Sequence, residues 1–347
     1  MSQDEDDGAT GSAGDQESAP LPIDLLPWHE AACDRLTAAV GSQRLSHGLL
    51  LQGPAGVGKE RFASALAAAL FCTGRNARLV ACGECAECLL SKAGTHPDLH
   101  WLRIPADRKS IGVDQVREVC EQLAMTSMRR GYRVAVIAPA EKMTTSAQNA
   151  LLKTLEEPAP RTVLALVTAR PSALLPTLRS RCQRIEVARP ENSLALRWLT
   201  EMIGSVPPPR LLAVAGGSPL KALALAPYFA GLEEQMAGLL EALLERRIEV
   251  TRAAADMQGA GLPTRLDWLE AWLAAAVRVA TGAANENSLT FHTGSRLQRA
   301  AAELNITQAF QVLDRLREAR SLLEGPVSAP LMVESLLLEL RAAASAR

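Results

Sequence analysis

Four cysteines, Cys72, Cys82, Cys85 and Cys88, fall within 17 residues in the spacing C-x9-C-x2-C-x2-C. Thiolates two residues apart are the donors and the reach that tetrahedral Zn2+ requires. Gly83-Glu84 and Ala86-Glu87 are short enough to turn the chain back onto one ion. No open coordination position or neighbouring general base is evident, so the expected role is structural rather than catalytic. An iron–sulfur cluster uses the same four donors and is the second reading. His96, in Thr95-His96-Pro97-Asp98, could compete as a ligand, although the four-cysteine set is complete without it. Cys33, Cys120 and Cys182 read as buried apolar side chains.

The second chemical signal is Gly53-Pro54-Ala55-Gly56-Val57-Gly58-Lys59, a glycine-rich loop after an apolar run and before a helical one. Backbone N–H groups and a helix N-terminus there favour an anion. Gly53, Gly56 and Gly58 would shape the loop, and Lys59 would meet the phosphates of ATP or ADP. The next residue should be Ser or Thr, to ligate Mg2+, but Glu60 stands there. A hydrolysing site also needs acids at the end of a neighbouring strand. The candidate strand Val134–Ile137 runs instead into Ala138-Pro139-Ala140, and the first acid is Glu141. Nucleotide held without hydrolysis is one reading; a vestigial loop that only shapes the turn is the other.

These residues need a scaffold. Leu49-Leu50-Leu51 reads as a buried strand, followed by a helix from about Glu60 to Phe71. Leu99–Arg103, Val134–Ile137, Val163–Thr168 and Arg184–Val187 read as further strands, with helices over Val113–Leu123 and Thr145–Glu156, the latter stopped by Pro158. Such alternation predicts an α/β domain whose mostly parallel sheet is covered on both faces. Beyond Pro190 come a short helix over Leu194–Ile203, a break at Pro207-Pro208-Pro209 and a helical piece over Leu211–Leu225 containing the turn Gly216-Gly217-Ser218-Pro219. From about residue 231 the text is helical, ending in an amphipathic helix stopped by Gly325-Pro326.

Composition agrees. Of the 347 residues 48% are hydrophobic, which excludes global disorder, and 3% are aromatic, which favours aliphatic helix packing over a β-sandwich. Asp4, Glu5, Asp6, Asp7, Asp15 and Glu17 make the start an acidic tail, and without those six the overall charge of −1 becomes +5. That start has no signal-peptide character, and no apolar run approaches membrane-spanning length. A soluble cytoplasmic protein is expected, with metal rather than disulfides at its cysteines.

Taken in order, Gly53–Lys59, the four cysteines, Ala93–Asp98, Ile111-Gly112-Val113-Asp114-Gln115-Val116-Arg117, Asn149–Pro158 and Leu178-Arg179-Ser180-Arg181-Cys182 resemble the clamp-loader subunits of bacterial DNA polymerase III, an AAA+ family. The resemblance covers most of residues 45–190. It implies an AAA+ P-loop domain over 23–189 with the zinc module at 72–88 inserted, after a disordered tail over 1–22, then a helical lid over 190–230 and an all-α collar over 231–347. Glu60, Ala138-Pro139 and Lys221 stand where the ATP-hydrolysing gamma/tau motor carries its Mg2+ hydroxyl, its acids and a lid arginine, so the non-motor delta-prime type is the better match.

From the residues alone Arg181 is a surface arginine beside Arg179 and Arg184. The Ser-Arg-Cys motif of the family implies an arginine finger that faces a neighbouring subunit's ATP. The implied partners are the gamma/tau and delta subunits and, through the complex, the sliding clamp and primer-template DNA, with Arg117, Arg129 or Arg130 in reach of duplex phosphates or simply on a solvated face. Trp268 and Trp272 would supply collar contacts or the private core of their domain. Two further readings are an autonomous P-loop ATPase, resting on Lys59, and a zinc-dependent nucleic-acid-binding module, which lacks the flanking basic and aromatic residues such modules use.

Overall fold

Leu49, Leu50 and Leu51 offer no polar atom to water, so the strand they form has to be covered on both faces. In the computed structural model of the chain this strand, β1 (Gly48–Gln52), is fully buried over those three leucines. The structure describes residues 22–42, 44–129, 131–259, 261–283, 304–323 and 328–344. The acidic tail, Arg130 and the Gly325-Pro326 helix stop lie outside the described residues.

β1 pairs with β4 (Thr162–Thr168) on one edge and β5 (Gln183–Glu186) on the other. β3 (Arg133–Ile137) follows outside β4, and β2 (Leu99–Leu102) outside β3. The order is β2-β3-β4-β1-β5, and every ladder is parallel, as the apolar runs predict. All five strands therefore end on the same side of the sheet.

Two compact units emerge, one made of residues 1–52 with 59–186 and one of 53–58 with 187–347. Among the described residues the first holds the sheet and six α-helices: α1 (Glu30–Gly41), α2 (Lys59–Phe71), α3 (Ala86–Ala93), α4 (Val113–Ala124), α5 (Thr145–Glu156) and α6 (Pro176–Ser180). α2 is apolar on nearly all sides and is buried along most of its length. α4 and α5 cover the other side: Val116, Val119, Leu123, Leu151 and Leu155 pack against Leu50, Ala135, Ile137, Leu164 and Leu166 of the sheet. The Thr144 hydroxyl caps α5 by accepting from the Ala147 amide at 3.2 Å.

The second unit is helical: α7 (Asn192–Ile203), α8 (Pro209–Val214), α9 (Pro219–Leu225), α10 (Phe229–Leu244), α11 (Val250–Asp256), α12 (Leu262–Ala280), α13 (Ile306–Leu322) and α14 (Ala329–Ala343). The expected single piece over Leu211–Leu225 is two helices, because Gly216 and Gly217 turn left-handed at φ 65° and 75°. Trp268 and Trp272, one turn apart on α12, are both buried inside this unit. Of the two expectations for them, the private core holds. Among the described residues no helix is long and apolar enough to cross a membrane.

Leu151 is fully buried between helix and sheet, whereas Leu89 on α3 is 56% exposed. Leu151→Ala is expected to lower unfolding stability by ~2–5 kcal/mol in denaturant titration. Leu89→Ala is expected to stay within ~0.5 kcal/mol of the parent.

Candidate functional site

The phosphate-loop residues adopt the backbone that glycine is needed for. Gly53, Gly56 and Gly58 have φ of 154°, 76° and 84°. A Cβ on Gly53 would lie 2.1 Å from the Val187 carbonyl oxygen, and one on Gly56 would lie 2.9 Å from the Ser218 Cβ. Within the second unit the loop is held by the turn that the family resemblance aligned with the motor's lid arginine. The Ser218 hydroxyl donates to the Ala55 carbonyl at 2.5 Å, and the Leu220 amide to the Gly56 carbonyl at 3.3 Å. Lys221 is ion-paired with Asp267, which Arg320 also engages.

In the first unit Lys59 begins α2 and is buried. Burial lowers the pKa of its ammonium, against the opposing pull of Glu141 and then Glu60. The Glu60 carboxylate lies 3.5 Å from the Arg103 guanidinium, which in turn sits over Trp101. β3 ends at Ile137, and the cis Ala138-Pro139 bond and a 3-10 turn over Ala140–Lys142 follow, so no carboxylate stands at the strand end. Glu141 accepts from the Ala169 amide at 3.2 Å, beyond the end of β4. Its other oxygen is buried without a hydrogen bond among the described residues. The loop glycines hold left-handed backbone, while Glu60 and Ala138-Pro139 stand where a hydroxyl and strand-end acids would organise Mg2+ and water.

Cys72 follows α2, Cys85 caps α3, and Cys88 lies within it, so the C-x2-C-x2-C step becomes a turn running into a helix. The four sulfurs lie within 4.8 Å of one another, with Cys82–Cys88 and Cys72–Cys85 at 3.9 Å. Tetrahedral Zn–S bonds of ~2.3 Å require sulfurs ~3.8 Å apart. The donor set therefore fits zinc. Backbone amides point at the sulfurs, among them Cys82 N at Cys72 Sγ, 3.3 Å, and Cys85 N at Cys82 Sγ, 3.4 Å. Burial pushes the Cys72 and Cys88 thiols up. The amides of Glu84 and Cys85 pull Cys82 down; at Cys85 burial raises the thiol, but the amide and side-chain hydrogen bonds of Cys88 and Thr73 together bring it to about 6. Cys33 and Cys182 are buried and Cys120 half-buried.

His96 is not part of this cluster. Its ring stacks on Phe71 at 3.7 Å, its Nε2 lies 3.1 Å from Glu87 Oε2, and its Nδ1 accepts from the Asp98 amide at 3.2 Å. Glu87, between two of the cysteines, is also bound by Arg129 at 2.7 Å. Asp98 accepts from Ser127 Oγ, Met128 N and Arg129 N at 2.9, 2.9 and 3.0 Å. The cysteine cluster is thereby tied to the segment after α4. Sequence periodicity does not reveal this network; Glu87 inside the cysteine repeat is its one visible signal. Arg129 is thus engaged by a carboxylate, while the exposed Arg117 pairs with Asp114 at 3.4 Å.

Arg181 follows α6 and precedes β5. The register Leu49↔Gln183 sets it level with the start of β1, whereas Lys59 follows the end of that strand. The four steps between the five residues of β1, at ~3.3 Å each, separate the two ends by roughly 13 Å of strand. Gly48 makes this end close-packed: a Cβ there would lie 2.7 Å from Leu155 Cδ2 and 3.3 Å from the Arg181 carbonyl oxygen.

Asp98→Ala strands three donors, so it should cost ~1–3 kcal/mol. Faster hydrogen exchange at the Met128 and Arg129 amides is the direct readout.

The family model described as DNA polymerase III, delta subunit, matches residues 28–191. The chain is 40% identical over 261 residues to the DNA polymerase III subunit delta-prime of Pseudomonas aeruginosa, covering 74% of this chain and 78% of that one. With the Escherichia coli subunit delta-prime it shares 35% identity over 263 residues, again 74% and 78%. Among solved structures, a DNA polymerase III gamma subunit-related protein from Thermotoga maritima is 19% identical with a TM-score of 0.45, covering 90% of this chain and 99% of that one. The extent and identity of the two curated matches are those of one family, and the chain belongs to the delta-prime subunits of DNA polymerase III.

Proposed function

We propose that this chain is the non-hydrolysing member of a clamp loader, lending Arg181 in trans to the ATP site of a neighbouring gamma/tau motor subunit. The observation that carries the reading is the place of Arg181, at the end of the parallel sheet opposite Lys59. From there the guanidinium is remote from the chain's own phosphate-binding lysine and stands partly in solvent, where a second subunit can bring a nucleotide to it. A guanidinium aimed at a transferred phosphoryl group offsets the charge that develops on its oxygens.

The other features fit this division of labour. Glu60 in place of the Mg2+-ligating hydroxyl, and Ala138-Pro139 in place of strand-end acids, leave water unactivated in the chain itself. Gly53, Gly56, Gly58 and Lys59 keep the loop that would cradle ATP or ADP without turning it over. The sulfurs of Cys72, Cys82, Cys85 and Cys88 would hold a structural zinc that fixes α3 and, through Glu87 and Arg129, the segment beyond α4. The further division of the helical part is a lid over 190–230 and a collar over 231–347, through which the chain would assemble with the motor and delta subunits in the cytoplasm. Within that assembly the sliding clamp is opened and closed on primer-template DNA.

Arg181→Ala, in a loader reconstituted with motor and delta subunits, should abolish DNA- and clamp-stimulated turnover at the adjacent motor site, a loss of ~10³-fold or more there. Assembly should stay intact by gel filtration; an unchanged rate would sink the finger. For the metal, elemental analysis should find about one zinc per chain. Cys88→Ser should lose it and open a protease-sensitive site within residues 72–96, and an unchanged digest would count against a structural zinc.

A further inference from the structure

Arg181 does not point freely into solvent. Its Nη2 lies 2.5 Å from Glu156 Oε1, and its Nη1 donates to the Thr177 carbonyl at 3.0 Å. Both terminal nitrogens are turned back on the subunit that carries them. The backbones on either side are fixed. His47 Nε2 donates to the Leu155 carbonyl at 2.7 Å, tying the last turn of α5 to the approach to β1. Gly48 leaves room for Leu155, the Arg181 carbonyl and Cys182 to meet, all three within 3.4 Å of where its Cβ would be. Glu156 and Arg181 therefore face each other by construction, and only their side chains are free to rearrange.

We propose that Glu156 is the positioning residue of Arg181, holding the guanidinium in a parked conformation that a neighbouring subunit's terminal phosphate must displace. The inference rests on the trans-finger reading above. The pair stands at the surface, with side-chain exposures of 37% for Arg181 and 52% for Glu156, so a second anion can approach and the exchange is cheap. A terminal phosphate carries more charge than a carboxylate and takes the guanidinium fork bidentately, so it wins while it is present. Once it has been cleaved and has left, Glu156 recaptures the fork. Engagement of the finger then follows the nucleotide state of the neighbour. Glu157, the next residue, carries the same charge but is not paired with Arg181, which makes it the matched control.

The test uses the reconstituted loader with Glu156→Gln, Glu157→Gln, Arg181→Ala and the double variant Glu156→Gln/Arg181→Ala. ATP turnover is measured without DNA, where engagement of the finger is least assisted, and with primed DNA and clamp. Glu156→Gln should raise DNA-free turnover by ~2–5-fold and lower the KM for ATP, the size expected for loss of one exposed pair. Glu157→Gln should match the parent, and Glu156→Gln should change nothing when Arg181 is already Ala. The melting temperature of the Glu156→Gln chain should equal the parent's, which separates positioning from a general structural effect. Parental or reduced turnover for Glu156→Gln, with Arg181→Ala still collapsing the rate, overturns the parking role and leaves the finger standing. Equal gains from Glu156→Gln and Glu157→Gln overturn it in favour of a general change in field. An Arg181→Ala loader with unchanged turnover overturns the finger, and the parking role with it.

Discussion

Strand β1 is hydrogen-bonded on both edges and buried on both faces, and what happens at its two ends depends on that confinement. Its flanking strands are parallel to it, so the sheet has one end from which every chain segment leaves and one at which every segment arrives. The phosphate loop and Lys59 leave from β1; Gly48 and the Arg181 segment lie at the arriving end. A polar residue among Leu49, Leu50 and Leu51 would be buried without a partner. A side chain at Gly48 would push against Leu155 and the Arg181 backbone together. The same strand that presents Lys59 thus holds Arg181 away from it. On the proposed reading, such a sheet would put the two halves of an ATP site on different surfaces, to be united between subunits.

Two neighbouring carboxylates set the charge around Lys59. Glu60 is drawn toward Arg103, and Glu141 is anchored by the Ala169 amide. Both carboxylates bear on Lys59, whose ammonium burial would otherwise disfavour. Neither lies in the strand-end position from which an acid holds Mg2+ and polarises water. The loop glycines nonetheless retain left-handed angles that other residues rarely adopt. On the proposed reading, this loop would cradle phosphate without organising Mg2+.

Much of this was legible in the sequence, for physical reasons. The three inner strands, β1, β3 and β4, show as apolar runs because both faces of the parallel sheet are buried there, and the cysteine cluster shows because four donors able to share one ion lie at close, regular spacing. The substitutions at Glu60 and Ala138-Pro139 could be read because each motif position has one chemical duty. Arg181 carried meaning only through its motif; nothing in its neighbours marks it. What escaped was non-local. Glu87 and Arg129 are 42 residues apart and Asp98 and Ser127 are 29 apart, so no periodicity connects them. His96 looked like a spare metal ligand because sequence shows the imidazole but not the Phe71 ring and Glu87 carboxylate that occupy it. Trp268 and Trp272 share a helical face, which spacing reveals, but whether that face meets its own domain or another subunit is decided by packing.

On the proposed reading this chain contributes to ATP hydrolysis without performing it. The most direct measurement is Mg2+-dependent ATP turnover by the purified chain alone, with and without primed DNA, beside a Lys59→Ala form. No turnover above background is expected in either protein. Turnover by the parent chain that Lys59→Ala abolishes would contradict that reading and make the chain a motor in its own right.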